Sequence, residues 1–404
     1  MGLKILQLFN RFPWPLRDGG ALVNYHSLQG YYLAGCKVTA AVLNTSKHHI
    51  SFNELPNHVK SLADFHLIDI DNRIHVKDAF LNLFTNKSYH IQRFESAEFD
   101  KMLIKLCKQQ HFDIAVFESI FMAPYLNTIK KYSKAVCVLR AHNVEHIIWQ
   151  TQAQIERNPI KKYYLKLLAN RLKKYELNTI NSFDALLAIT ENDKESFKQF
   201  GFSKPVQVMT AGIDINNFQH YQSSYHTSFF HLGSMDWMPN QEAVLWFINE
   251  VWPVITSKNS ELTFTVAGRN MPESFFNLNQ NGVKIIGEVE NAYEFMSNQS
   301  IMIVPLFSGS GMRVKIIEGM AMAKCIISTS LGAQGIEVKN GYDILIANNK
   351  NEFIEHINNL INNPSIIKTI GLNARKTAFE KYDNKKIISE TLNFYNSLLN
   401  KSIA

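Results

Sequence analysis

Short apolar runs alternate with helix-patterned segments along the whole chain, and this alternation constrains the fold more than any other feature. Lys4 to Phe9 reads as a strand, Arg11 to Gly20 as a Pro- and Gly-punctuated loop, and Ala21 to Leu33 as a helix stopped by Gly35. Val38 to Leu43, Ile114 to Phe117, Ala135 to Leu139, Ala185 to Ile189 and Val206 to Met209 continue the strand series. A second series opens at Phe229 to Leu232 and runs through Leu262 to Ala267, Ile301 to Pro305, Cys325 to Ser328 and Ile344 to Ile346. Repeated strand and helix units build parallel sheets covered on both faces, so each series predicts a doubly wound, Rossmann-like α/β domain. A chain of 404 residues also exceeds what one hydrophobic core organises. We therefore expect a first domain over 1–211, a polar linker over 212–227, a second domain over 228–380 and a C-terminal helix over 381–404 that crosses back to the first domain. Open parallel sheets bind ligands at the carboxyl ends of their strands, so the cleft between the domains is the expected site.

Composition excludes several other classes. The longest apolar runs, such as Ala185 to Ile189 and Ile301 to Phe307, fall far short of the roughly 18–20 residues that cross a bilayer. Met1 to Phe9 ends in polar Asn10 and Arg11 with no small-residue cleavage site, so a first strand and a cytoplasmic location are expected rather than a secretory signal. Leu6 stands where a myristoylation signal needs Ser or Thr. Cys36, Cys107, Cys137 and Cys325 are scattered, with no zinc-ligand or redox spacing, so buried free thiols in a reducing compartment are expected. Residues 1–205 hold 27 Lys and Arg against 18 Asp and Glu, net +9, whereas the remainder holds 15 against 17, net −2. That asymmetry points the first half toward an anionic partner, either a membrane face or an acidic or phosphate-bearing acceptor, and not toward nucleic acid.

The stretch Val304 to Met322, VPLFSGSGMRVKIIEGMAM, carries the strongest chemical signal. An apolar strand runs into Gly309, Ser310 and Gly311, and an apolar-periodic helix follows with Arg313 and Lys315 in its first turns. Small residues allow backbone amides close to a ligand, and the helix N-terminus adds unpaired N–H groups. Cations there oppose the helix dipole unless they bind an anion, so the loop reads as a pyrophosphate site. Glu318 lies three residues beyond Lys315, where a surface ion pair is the competing reading.

These residues resemble the donor-binding motif of the family 4 retaining glycosyltransferases, also called group 1 glycosyltransferases, and the likeness runs over most of the chain. It implies the GT-B fold and transfer of a sugar from a nucleotide-diphosphate donor to an acceptor hydroxyl, with retention of configuration and without a bound metal or other cofactor. It also implies that Glu318 holds the ribose hydroxyls. A second family glutamate falls at Ser310, a departure, and the usual cations after the first strand of the second domain are replaced by Gly233, Ser234, Met235, Asp236, Trp237, Met238, Pro239 and Asn240. A branch with this GSMDWMPN pattern and a GxRxK turn is more similar. The diphosphate role then moves to Arg313 and Lys315, with Gly233, Asp236, Trp237, Gly309, Ser310, Gly311 and Met312 around the donor and Arg269 as a further cation.

In the first domain Asp18, Gly19 and Gly20 resemble the family's glycine turn across the cleft from the donor. His142, within Arg140 to Glu145 after a strand, matches the histidine near the transferred sugar, with Arg140 and Glu145 supporting it. Glu118 ends a strand, where it either faces the acceptor or is solvated. Asp69, Ile70 and Asp71 spell a metal-binding Asp-x-Asp, yet lie far from the nucleotide motif and read as a strand end. Arg157 to Lys174 puts Ile160, Tyr164, Leu168 and Leu172 on one helical face and Lys162, Lys166 and Lys173 on another, giving a packed helix with a basic side or a contact with an anionic membrane. Phe12, Trp14 and the segment Phe80 to Phe94 form either an acceptor lip or core. The implied partners are a nucleotide-sugar donor and a glycan or lipid-linked glycan acceptor, in cell-surface polysaccharide or lipopolysaccharide assembly. A nucleotide-sugar epimerase of the same fold and a non-catalytic glycan-assembly subunit are the rival readings.

Overall fold

The computed structural model describes residues 2–16, 19–218, 225–309 and 311–403, with side chains through residue 400. It divides into two compact units, one of residues 1–210 with 385–404, the other of residues 211–384.

The first unit holds a seven-stranded sheet of β1 (Lys4–Phe9), β2 (Lys37–Thr45), β3 (Asp64–Ile70), β4 (Ile114–Glu118), β5 (Val136–Ala141), β6 (Ala185–Ala188) and β7 (Val206–Val208). Their order is β3-β2-β1-β4-β5-β6-β7, parallel throughout. Side chains alternate across the sheet, and both faces are covered. Leu6, Leu8, Phe117 and Leu139 pack into one core. Ile5, Phe9, Val116 and Val138 pack into the other, together with Ile388, Tyr395 and Leu398 of the helix Asn384–Ile403.

The second unit holds β8 (Phe229–Leu232), β9 (Phe264–Ala267), β10 (Val283–Gly287), β11 (Ile301–Val304), β12 (Cys325–Ser328) and β13 (Leu345–Ile346) in the parallel order β10-β9-β8-β11-β12-β13. Strand order reverses between β8 and β11, and open parallel sheets bind ligands at the carboxyl ends of strands at such a point. One close approach fixes that edge. A Cβ on Gly268 would lie 1.7 Å from the Gly233 carbonyl oxygen, so only glycine lets the turns after β8 and β9 meet.

Several expectations change. Described residues of the expected linker pack inside the second unit: the Ile213 N–H bonds the Tyr382 carbonyl at 2.8 Å, and the Phe218 ring meets Tyr293. Residues 219–224 lie outside the description, as do Asp18 and Ser310. The helix starting after Asn158 buries Leu168 and Leu172 but leaves Ile160 exposed, because its buried residues all lie from Leu168 onward. Phe12 is core, stacked on Phe65, whereas Phe80 and Phe84 are exposed. Asp69 is bonded by the Asn44 amide and Asp71 pairs with Arg73. Among the described residues no group of His, Cys, Asp and Glu is placed to hold a metal ion, and no helix is long and apolar enough to cross a membrane. The four cysteines are free, Cys107 partly exposed.

Candidate active site

In the second unit the turn after β8 is a tied structure. The Met235 N–H bonds the Arg269 carbonyl at 2.8 Å, the Asn240 amide bonds the Ser234 carbonyl at 2.9 Å, and Arg269 donates to the Ser234 hydroxyl at 3.3 Å. That hydroxyl donates to Asp236 at 2.5 Å, and with Arg269 nearby it holds the Asp236 carboxyl below its ordinary value. Trp237 joins this turn to the one after β11. A Cβ on Gly309, whose φ is +99°, would fall 2.5 Å from the indole, so the loop passes flat against the ring. Gly311 also has positive φ, and the Met312 carbonyl accepts from Val314 at the start of the helix Val314–Ala321.

Arg313 immediately precedes that helix, its guanidinium carbon 5.2 Å from the Trp237 ring centroid. Its residue is only 9% exposed, and Nε, Nη1 and Nη2 all lack a hydrogen-bond acceptor among the described residues. Burial lowers its pKa to about 10. A desolvated cation without a counter-charge is costly, and a guanidinium fork matches phosphate oxygens in shape and charge. Lys315 instead pairs with Glu318 at 2.5 Å, and the Tyr293 hydroxyl donates to the same buried carboxylate at 3.0 Å. Glu318 is therefore a buried acceptor held by two donors, one of them the Lys315 that helical spacing placed beside it. Tyr293 carried no signal in the sequence.

The first unit has a separate constellation. Period-two alternation puts Gln7, Glu118, Arg140 and His142 on the sheet face that carries Ile5, Val116 and Val138. Glu118 is not solvated. It is fully buried, 2.6 Å from the Gln7 amide, 3.3 Å from Arg140 and 2.7 Å from His142 Nε2. Burial pushes its carboxyl up, but Arg140 and the His142 and Gln7 hydrogen bonds outweigh that, and the net shift is downward.

Beside it a crevice of about 310 Å³ opens at the carboxyl ends of β1, β2, β4 and β5, where Gly20 of the helix Gly19–Leu33 meets His142, Asn143 and Glu145. Gly19 begins that helix with open space where a Cβ would project. Glu145 starts the helix Glu145–Ile155. The Glu176 carboxylate accepts from the Glu145 and His146 N–H groups at 3.2 Å and lies 2.6 Å from His146 Nδ1. Burial and the Glu176 charge raise the Glu145 pKa to about 7. The structure thus gathers the donor-motif residues in the second unit, and Gly20, His142 and Glu145 in the first.

Residues 226–363 match the sequence model described as glycosyl transferases group 1. A 44.6 kDa protein in the cps region of Klebsiella pneumoniae is 27% identical over 300 residues, covering 71% of this chain and 74% of that protein. The capsular polysaccharide biosynthesis glycosyltransferase CapM of Staphylococcus aureus is 23% identical over 381 residues, covering 85% and 99%. Among solved structures, Anabaena Alr3699/HepE in complex with UDP and glucose superposes with a TM-score of 0.64 at 14% identity, covering 98% of this chain and all of that one. The paired parallel sheets are the GT-B architecture.

Proposed function

We propose that this chain, a glycosyltransferase with a group 1 domain in its second unit, moves a sugar from a nucleotide-diphosphate donor to an acceptor hydroxyl with retention of configuration, in surface polysaccharide assembly. The observation that carries this reading is Arg313, a buried guanidinium beside Trp237 and the glycine turn with no acceptor among the described residues. Cleavage of the donor builds negative charge on the departing diphosphate, and a preorganised cation in a desolvated site stabilises it most as that charge develops. In this reading Arg313 holds the diphosphate, Lys315 assists from the helix's first turn, Glu318 exchanges part of its present bonding for ribose hydroxyls, and His142 meets the transferred sugar. The UDP bound by HepE supports a nucleotide donor, and the name of CapM supports the polysaccharide setting.

Incubation with UDP- and GDP-sugars and a glycan acceptor, with product analysis, separates the alternatives. Sugar on the acceptor with the donor's anomeric configuration supports the reading, and inverted product overturns retention. An epimerised donor makes the chain an isomerase. Absence of turnover with intact nucleotide binding makes it a binding subunit.

A second reading concerns where the chain works. Val76, Phe80 and Phe84, spaced i, i+4 and i+8, are 84%, 58% and 77% exposed. Arg171 fastens this segment to the long helix Pro159–Ile180 through the Asn82 and Leu83 carbonyls, and Ile160 and Tyr163 are exposed there beside Lys161, Lys162 and Lys166. Apolar side chains flanked by lysines suit an anionic membrane surface. Co-sedimentation with phosphatidylglycerol vesicles, weakened in a Phe80→Glu, Phe84→Glu variant, supports it; equal pelleting of both proteins overturns it.

A further inference from the structure

We infer that Glu145 is a hydroxyl-binding carboxylate of the first unit's crevice, and that the crevice takes a saturated sugar ring against the Phe94–Phe121 pair. This deepens the glycosyltransferase reading and rests on it. Three observations converge. First, Phe94 and Phe121 stack at 5.0 Å and 28° and both line the crevice. The C–H face of a pyranose is apolar and covers such a wall while its hydroxyls project sideways. Second, Asn24 and Thr45 line the same crevice and are almost wholly buried, yet Asn24 Oδ1 and Thr45 Oγ1 have no hydrogen-bond partner among the described residues. Buried polar atoms are rarely left so, and ligand hydroxyls would satisfy both. Third, Ser119 holds φ of +86° between β4 and the wall, and its hydroxyl accepts from the Phe121 N–H at 3.4 Å. Strain of that kind in a non-glycine residue collects where a side chain must be aimed.

Glu145 completes the polar side. Glu176, from the helix Pro159–Ile180, faces it from behind and draws both of its oxygens into the start of Glu145's own helix. Arg11 from the loop after β1, Lys47 and His48 from the segment after β2, and His142 share the crevice, while His146 is tied to Glu176. A glutamine would fill the position without two carboxylates competing. The acid is useful because its ionised form accepts strongly from a hydroxyl. With a pKa of about 7, that form appears as pH rises through neutrality.

The test uses the full chain and three probes, octyl β-glucoside, octyl β-galactoside and octyl α-mannoside, with binding followed by ligand-observed NMR at pH 6 and pH 8. For at least one glycoside the wild-type protein should bind several-fold, up to about tenfold, more tightly at pH 8, following the ionised fraction of one group titrating near 7. Glu145→Gln should bind with the same affinity at both pH values, and its affinity for UDP should equal the wild type's. An unchanged pH dependence in the variant, or no binding of any of the three by the wild type, overturns the inference. Either result with UDP binding intact leaves the donor reading standing, whereas absent binding of every nucleoside diphosphate and nucleotide sugar overturns that reading instead.

Discussion

Two arginines are buried to nearly the same degree and are held in opposite ways. Arg140, in the first unit, is 1% exposed and lies within 3.4 Å of both oxygens of Glu118, which also bonds His142 and Gln7. Arg313, in the second, is 9% exposed and rests on an indole, with no oxygen among the described residues to receive its hydrogens. The first is an internally balanced charge, so its energetics belong to the folded state. The second is a buried charge that no acceptor among the described residues balances. Burial alone would class them together, and their hydrogen-bond partners set them apart.

The largest effect should come from unbalancing Arg140. Glu118→Gln leaves a buried guanidinium without its carboxylate, and about 3–5 kcal/mol of stability should be lost, read as a lower denaturation midpoint. The same pair makes the protein acid-sensitive. The folded Glu118 pKa lies below the unfolded value, so its contribution is fully present above the ordinary carboxylate range and drains away as pH falls through the lowered value. A variant as stable as the wild type would erase the contrast between the two arginines.

Arg313→Ala tests the other half. Turnover should fall by about a hundredfold, roughly 3 kcal/mol of transition-state stabilisation, and by more than the apparent donor constant rises. The unliganded melting temperature should stay level or increase, because an uncompensated buried cation is removed. Clear destabilisation with near-normal turnover would place Arg313 beside Arg140 as a structural residue.

Glu318→Ala should weaken nucleotide affinity by about 1.5–3 kcal/mol, measured by calorimetry with UDP and GDP, since a charged acceptor of ribose hydroxyls is lost. Undiminished affinity would leave Glu318 as the partner of Lys315 and Tyr293 only.

The smallest expected effect is at Glu145. Its folded pKa of about 7 exceeds the ordinary 4.5, so between these values the folded state retains a proton that the unfolded state releases, and stability declines as pH rises through that window. Glu145→Gln should therefore be the more stable protein at pH 8, by about 1–2 kcal/mol after allowance for its partial exposure, with the difference vanishing near pH 4. Equal melting curves at pH 8 would mean that neither burial nor Glu176 penalises its ionised form.

How much of this was legible in the sequence depended on where a residue sits in its sheet. Central strands are buried on both faces, so IMIV reads as an unbroken apolar run and KILQLF as one interrupted only by Gln7 after its exposed first residue. The strands absent from the sequence-based series, β3 (DFHLIDI) and β10 (VKIIG), are sheet edges whose partial exposure admits polar residues and blurs the pattern. The Lys315–Glu318 pair was legible because helical spacing is local. Arg140 with Glu118 was not, since their meeting depends on β4 and β5 being neighbours in register. Trp237 under Arg313, and Phe94 against Phe121, likewise bring together residues that only the folded topology makes adjacent.

The helix Asn384–Ile403 gives the first unit an unusual order of assembly. Tyr395 closes on Tyr31 through a 2.9 Å hydroxyl contact, and Ile388 and Leu398 cover one face of the first sheet. During synthesis these residues emerge only after residues 211–384, a delay on the order of 10–30 s at ordinary elongation rates. Throughout that interval the ribosome carries a first sheet with part of its apolar face uncovered. The nascent chain is then most exposed to aggregation and most in need of a chaperone while its second unit is being made.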